Sequence, residues 1–219
     1  MSRDTEHLIA SLSTGLKPVR SQLPVDLIAL LWLVSSAAFV MAITHLFGPL
    51  RPNALTQLAT EPRFLLETLL GVVAISCTAI VAFRSAVPGA ADKRSILLAV
   101  SLIALWLANY GIGLADPALE PSMLGKRDHC VFETFMFAVP PACLAFLLTR
   151  RLYPLKPVYS ALLFSLVAGM LPALYMQLAC MYAPLHIIQM HIIPGLLVML
   201  AGGATAWLIN WVKRRRSQS

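Results

Sequence analysis

Apolar residues gather along this chain in long uninterrupted blocks, without the every-second pattern of a half-buried strand. Six blocks stand out, at 27–47, 65–83, 96–115, 130–149, 161–180 and 187–211, and short polar connections part them, the longest covering 48–64. A bilayer core about 30 Å thick takes roughly 20 residues of α-helix, and each block is of that order. Inside lipid the backbone must be bonded within the protein, so a span is a helix or part of a closed barrel; barrel strands alternate, and these blocks do not. The pattern predicts an all-α polytopic membrane helix bundle with six transmembrane helices. It divides the chain into an N-terminal segment 1–26, a bundle 27–211 and a basic tail 212–219. The first block follows 26 mostly polar residues with no small-residue cleavage site after it, so we expect it to stay in the protein and not to leave as a signal peptide.

The segment ahead of the first span has a different period. Asp4 and Glu6 fall in what would be a first helical turn, where the helix dipole favours acids. Leu8, Ile9, Leu12 and Leu16 then recur at helical spacing, and Pro18 and Pro24 close the stretch. A short amphipathic helix of this kind lies on a membrane leaflet or docks in a partner's groove, and spacing alone leaves both open.

Of the 219 residues 58% are hydrophobic and 12% charged, with a mean hydropathy of +0.77. Soluble domains carry about 25% charge, so the lipid bilayer is the partner this composition demands. Where the charge sits gives the orientation. Thirteen basic residues fall on one side of the predicted membrane: Arg3, Lys17, Arg20, Arg84, Lys93, Arg94, Arg150, Arg151, Lys156, Lys213, Arg214, Arg215 and Arg216. Arg51, Arg63, Lys126 and Arg127 alone fall on the other, with six of the ten acids. Basic loops stay cytoplasmic, so both termini are expected there. The pI near 9.6 is then a consequence of topology and calls for no direct nucleic-acid partner.

Within the spans polar groups are scarce. Asn109, Tyr110 and Gln177 lie toward the outer ends, Glu67 and Glu133 close to the outer surface, and no charge sits at a span's middle. Pumps and transporters place ionisable groups near the midplane, so the pattern argues against transport. Pro140, Pro141, Pro172 and Pro194 interrupt spans and should kink them or act as hinges. Gly202, Gly203 and Ala206, with Ala168 and Gly169, permit close helix contact within the chain or in a homodimer. Trp207 and Trp211 suit the inner headgroup layer.

Four cysteines divide into two pairs by depth. Cys77 and Cys143 lie deep in their spans, where cysteine serves as a small buried hydrophobe. Cys130 opens the fourth span and Cys180 closes the fifth, both at the outer boundary. A bridge or inert thiol pair, a redox or metal sensor, and catalytic thiol chemistry all remain open for them. His45, His129, His186 and His191 share that face, and the last three stand near the cysteines in sequence. Thiolate with imidazole suits zinc, cadmium or copper, although His186 and His191 lack the i, i+4 spacing of a helical zinc motif.

The opening Asp4-x-x-x-Leu8-Ile9-x-x-Leu12 followed by Lys17-Pro18-Val19-Arg20, then Cys130, Pro140-Pro141, Leu174-Tyr175-Met176-Gln177-Leu178-Ala179-Cys180 and His191, resemble the NrsF-like family of six-span bacterial inner-membrane anti-sigma factors. The resemblance covers nearly the whole chain. It implies a multi-pass inner-membrane protein that is not an enzyme and has no resident cofactor. Such a protein would hold an extracytoplasmic-function sigma factor at the cytoplasmic face and release it on metal or oxidative stress. It further implies that Cys130 and Cys180 are the sensing pair, receiving at most a transient heavy-metal ion, and that Leu8, Ile9 and Leu12 belong to the partner-binding helix. One departure stands out: a Trp-His pair is expected after the second cysteine, whereas Gln189-Met190-His191 stands here. The competing class is a membrane thiol oxidoreductase or metal transporter built on the same cysteines. Against it stand the lack of a Cys-x-x-Cys motif and of polar midplane residues.

Overall fold

The computed structural model describes residues 3–14 and 23–216. Along them run α1 (Arg3–Thr14), α2 (Val25–Phe47), α3 (Ala54–Thr60), α4 (Pro62–Ser85), α5 (Lys93–Gly113), α6 (Cys130–Thr149), α7 (Pro157–Ala179), α8 (Pro184–Ile187) and α9 (Ile193–Arg216). A 3₁₀ turn, Arg150–Leu152, follows α6, and a π turn, Ile188–Ile192, joins α8 to α9. No strand occurs among the described residues. Six helical stretches are long and apolar enough to cross a membrane, the last being the continuous run Pro184–Arg216. The basic residues 213–216, expected as a separate tail, form the last turn of α9. The short helix α3, between the first two spans, was not expected from the sequence.

Local chemistry starts the helices where the sequence permits. Pro62 and Pro157 occupy first-turn positions, whose N–H groups would have no partner in any case. Asp92 caps α5 by accepting from the Ser95 amide at 2.8 Å. Because its loops are short, the bundle runs up and down. It has a basic end, with Arg84, Lys93, Arg150 and Lys213, and an opposite end holding Cys130 and Cys180.

Helix α7 is the axis of the bundle, buried over most of its length, with α2, α4, α6 and α9 packed around it and α5 outside α4. Small residues let α7 and α9 touch backbone to backbone. A Cβ added at Gly169 would sit 2.3 Å from the Gly195 carbonyl oxygen, and one at Gly195 would sit 2.6 Å from that of Gly169. Further along, a Cβ at Gly202 would fall 1.9 Å from Ser165 Oγ. The small residues picked out in the sequence are thus used within the chain, with Gly195 as the unforeseen partner.

Trp32 and Trp106 are core residues, and Trp32 Nε1 donates to the Pro141 carbonyl at 3.0 Å. Trp207 and Trp211 are instead exposed on α9, stacked at 6.5 Å, with the Arg215 guanidinium 3.8 Å over the Trp211 ring. Leucines such as Leu30, Leu31, Leu97 and Leu98 cover the outside, as a lipid-facing surface requires. Cys143, expected as a buried filler, is exposed on that surface, and Cys77 is half-buried. At the basic end a bidentate pair of Arg84 with Asp26, both bonds 2.7 Å, ties α4 to the start of α2.

Gly169→Ala should lower the stability of the detergent-solubilised protein by about 1–3 kcal/mol through overpacking. Gly111→Ala, with nothing within 4 Å of the new methyl, should be neutral; equal melting temperatures for the two would refute the contact. For orientation, we expect a reporter fused after Ser219 and one inserted in the 116–128 loop to report opposite sides, the first cytoplasmic.

Candidate functional site

The end of the bundle opposite the basic residues holds the chemistry. Cys130 is the first residue of α6 and Cys180 ends α7; both are buried. Their sulfurs lie 3.3 Å apart, well beyond the roughly 2.05 Å of a disulfide, so both are free thiols in contact. His186 in α8 places Nε2 3.3 Å from Cys180 Sγ. His191 comes from the π turn, and its ring centroid is 5.4 Å from that of His186. One donor atom from each of Cys130, Cys180, His186 and His191 falls within 4.8 Å of all the others.

The π turn is what makes this possible. Residues five apart on an α-helix point about 140° apart, whereas i→i+5 bonding brings them toward one face. A Thr hydroxyl sets the state of the second imidazole. Thr134, one turn into α6, donates to the Cys130 carbonyl at 2.9 Å, leaving its oxygen to accept from His191 Nδ1 at 2.9 Å. A neutral ring then carries its lone pair on Nε2, which is buried and has no partner in the protein. Four donors, two of them sulfur, one an imidazole nitrogen with a free lone pair, fit a soft or borderline divalent ion.

Arg127, three residues before Cys130, locks the surroundings. Its Nη2 donates to the carbonyls of Gly48 at 2.9 Å, Pro49 at 3.0 Å and Thr44 at 3.3 Å, at the end of α2. Its Nε reaches the Ala179 carbonyl at 3.3 Å, and Nη1 pairs with Glu133 at 3.1 Å. Its own carbonyl accepts from Cys130 Sγ at 3.2 Å. One side chain thus joins α2, α6 and α7 beside both sulfurs. A second buried cation, Arg51, lies between the rings of Phe64 and Tyr182 at 5.8 and 5.9 Å and donates to Gln57. Burial pushes its guanidinium below the usual arginine range.

A polar chain runs inward from here. Glu67 Oε2 accepts from Asn109 at 2.9 Å and from Tyr182 at 3.1 Å. Tyr110 donates to Gln177, and Gln177 donates to Thr68 at 2.7 Å. Glu67 and Glu133, expected at the outer surface, are both buried; Glu133 pairs with Arg127, while Glu67 bonds through Oε2 and its Oε1 has no partner in the protein.

Of the expected residues, Cys130, Cys180, His186 and His191 come together. His129 stays outside the group, exposed at the N-cap of α6. His45 is occupied elsewhere, 3.0 Å from the Tyr175 hydroxyl. Leu8, Ile9 and Leu12 are exposed on α1, and Leu16 lies outside the described residues. Sequence reading missed Arg127 and Thr134. The i+4 step from Cys130 to Thr134 was the signal for the second, and nothing local marked the first.

A family model described as negative regulator of sigma F matches residues 12–211. No curated protein and no solved structure matches the chain. A match over this length leaves one conclusion: the chain belongs to the NrsF family of negative regulators of sigma F.

Proposed function

We propose that this protein is an inner-membrane anti-sigma factor with both termini in the cytoplasm, holding an extracytoplasmic-function sigma factor and releasing it when Cys130 and Cys180 respond to envelope metal or oxidant. The observation that carries the reading is the four-donor group of Cys130, Cys180, His186 and His191, far from the basic end, in a chain whose family regulates a sigma factor.

Two inputs suit that group. Cys130, Cys180, His186 and His191 would hold a soft metal ion through two sulfurs and two imidazoles. Alternatively an oxidant takes two electrons, the sulfurs join and two protons leave. The metal would fix the ends of α6, α7 and the π turn at a new spacing, and the bridge those of α6 and α7. The output is modest, since a tenfold loss of affinity takes about 1.4 kcal/mol of coupling. On the cytoplasmic side the exposed stripe Leu8, Ile9 and Leu12 of α1 is the contact for the sigma factor, a pattern that suits helix-in-groove docking.

The experiment separates the two faces. Cys130→Ser with Cys180→Ser should leave sigma-factor retention intact but abolish its release by cadmium or by a thiol oxidant; a normal response in the double variant would end the sensing role. Leu8→Asp, Ile9→Asp and Leu12→Asp together should free the sigma factor without any stress, read as constitutive transcription of its regulon. For the metal input, the purified protein should bind about one cadmium ion with thiolate charge-transfer absorption, and His191→Ala should weaken binding by about tenfold or more; the same affinity in that variant removes His191 from the ligand set.

A further inference from the structure

The thiol and imidazole group is carried by α6, α7 and the turn leading into α9. The opposite ends of these same three helices enclose a cleft of about 410 Å³ at the basic end. Phe146 and Phe164, with ring centroids 6.5 Å apart, and Ile209 give it an apolar floor, and Ser160 adds a hydroxyl. Arg150, lying 5.8 Å over the Phe146 ring, stands on one side and Lys213 of α9 on the other. No Asp or Glu lines the cleft, and among the described residues neither cation is in an ion pair.

The spans that connect the two places share a property. Past their first turns α6 carries Pro140 and Pro141, α7 carries Pro172, and the run Pro184–Arg216 carries Pro194, whereas α2, α4 and α5 carry no such proline. A proline removes a backbone bond and lets the halves of a helix tilt about it. Each helix joining the sulfurs to the cleft is therefore jointed.

Resting on the anti-sigma reading above, we infer that this cleft is a second contact surface for the sigma factor. It takes an acidic and apolar segment, and the thiol and imidazole group at the far ends of its three helices sets its width. Charge complementarity chooses the occupant. Cations placed on two different helices to either side of an apolar floor match an amphipathic segment with flanking carboxylates, whereas a lipid phosphate is better served by cations gathered at one point.

The test uses the full-length protein in membrane vesicles, with the sigma F-type factor of the same cell as probe. Arg150→Glu with Lys213→Glu, and separately Ile209→Trp, which fills the cleft without changing charge, should each weaken retention about tenfold or more at unchanged membrane level. Undiminished retention in both overturns the cleft while leaving the anti-sigma reading intact; failure of the unaltered protein to retain the factor overturns that reading and the cleft with it. A photo-crosslinking residue at position 209 should join to the sigma factor, and an adduct with phospholipid alone would also refute the assignment. Cadmium should abolish the sigma-factor adduct in the unaltered protein but not in the Cys130→Ser, Cys180→Ser variant. An adduct that cadmium leaves unchanged in the unaltered protein would show that the sulfurs do not set the cleft.

Discussion

Much of this bundle hangs on one guanidinium that cannot be left unsatisfied. Arg127 is largely withdrawn from water, and so is its partner Glu133. Removing one member of such a pair leaves a buried charge and costs about 3–5 kcal/mol. The remaining donors of Arg127 go to carbonyls that helix ends always leave open, those closing α2 and the last one of α7. Satisfying the charge and satisfying the helix ends are therefore the same act. Because Cys130 follows in the chain and Cys180 follows Ala179, the positions of the two sulfurs are by-products of that act.

The same rule, that polar groups withdrawn from water find partners in the protein, organises the second half of the site. Glu67, Asn109, Tyr110, Gln177, Thr68 and Tyr182 come from three spans and one loop, and each is placed by bonding to another. Tyr182 stands two residues beyond Cys180, so the short segment leaving α7 is held on one side by Arg127 and on the other by Glu67. The two histidines are carried by a helix whose first turns are of α and then π type.

The six spans were legible because lipid imposes one simple requirement, length of apolar sequence, that a window of residues can report. The pairing of Cys130 with Cys180 was legible for a related reason: two residues at one depth on consecutive antiparallel spans have few ways to be far apart. The histidines were harder. His186 and His191 do not share an α-helical face, and the π turn that brings them together sets His191 against Thr134, fifty-seven positions away in the chain. His129 illustrates the opposite error, since nearness in sequence to Cys130 did not bring its ring near the sulfur. Glu67 looked like a surface acid because its distance from the span's start was short, but the loops fold over that end and bury it. Burial by loops leaves no periodic trace.

The stacked Trp207 and Trp211, with Arg215 over the second ring, restrict what the last span can do. Indole and guanidinium both favour the layer between water and hydrocarbon, and together they hold α9 at one depth. A helix held so is a poor piston: sliding it along its axis would drag two indoles into the acyl chains or out into water. Swinging it about the fixed end leaves the anchors where they are. On the proposed function, a signal carried along α9 would thus be angular, and lipids that thicken or thin the bilayer would bias the helix's resting angle.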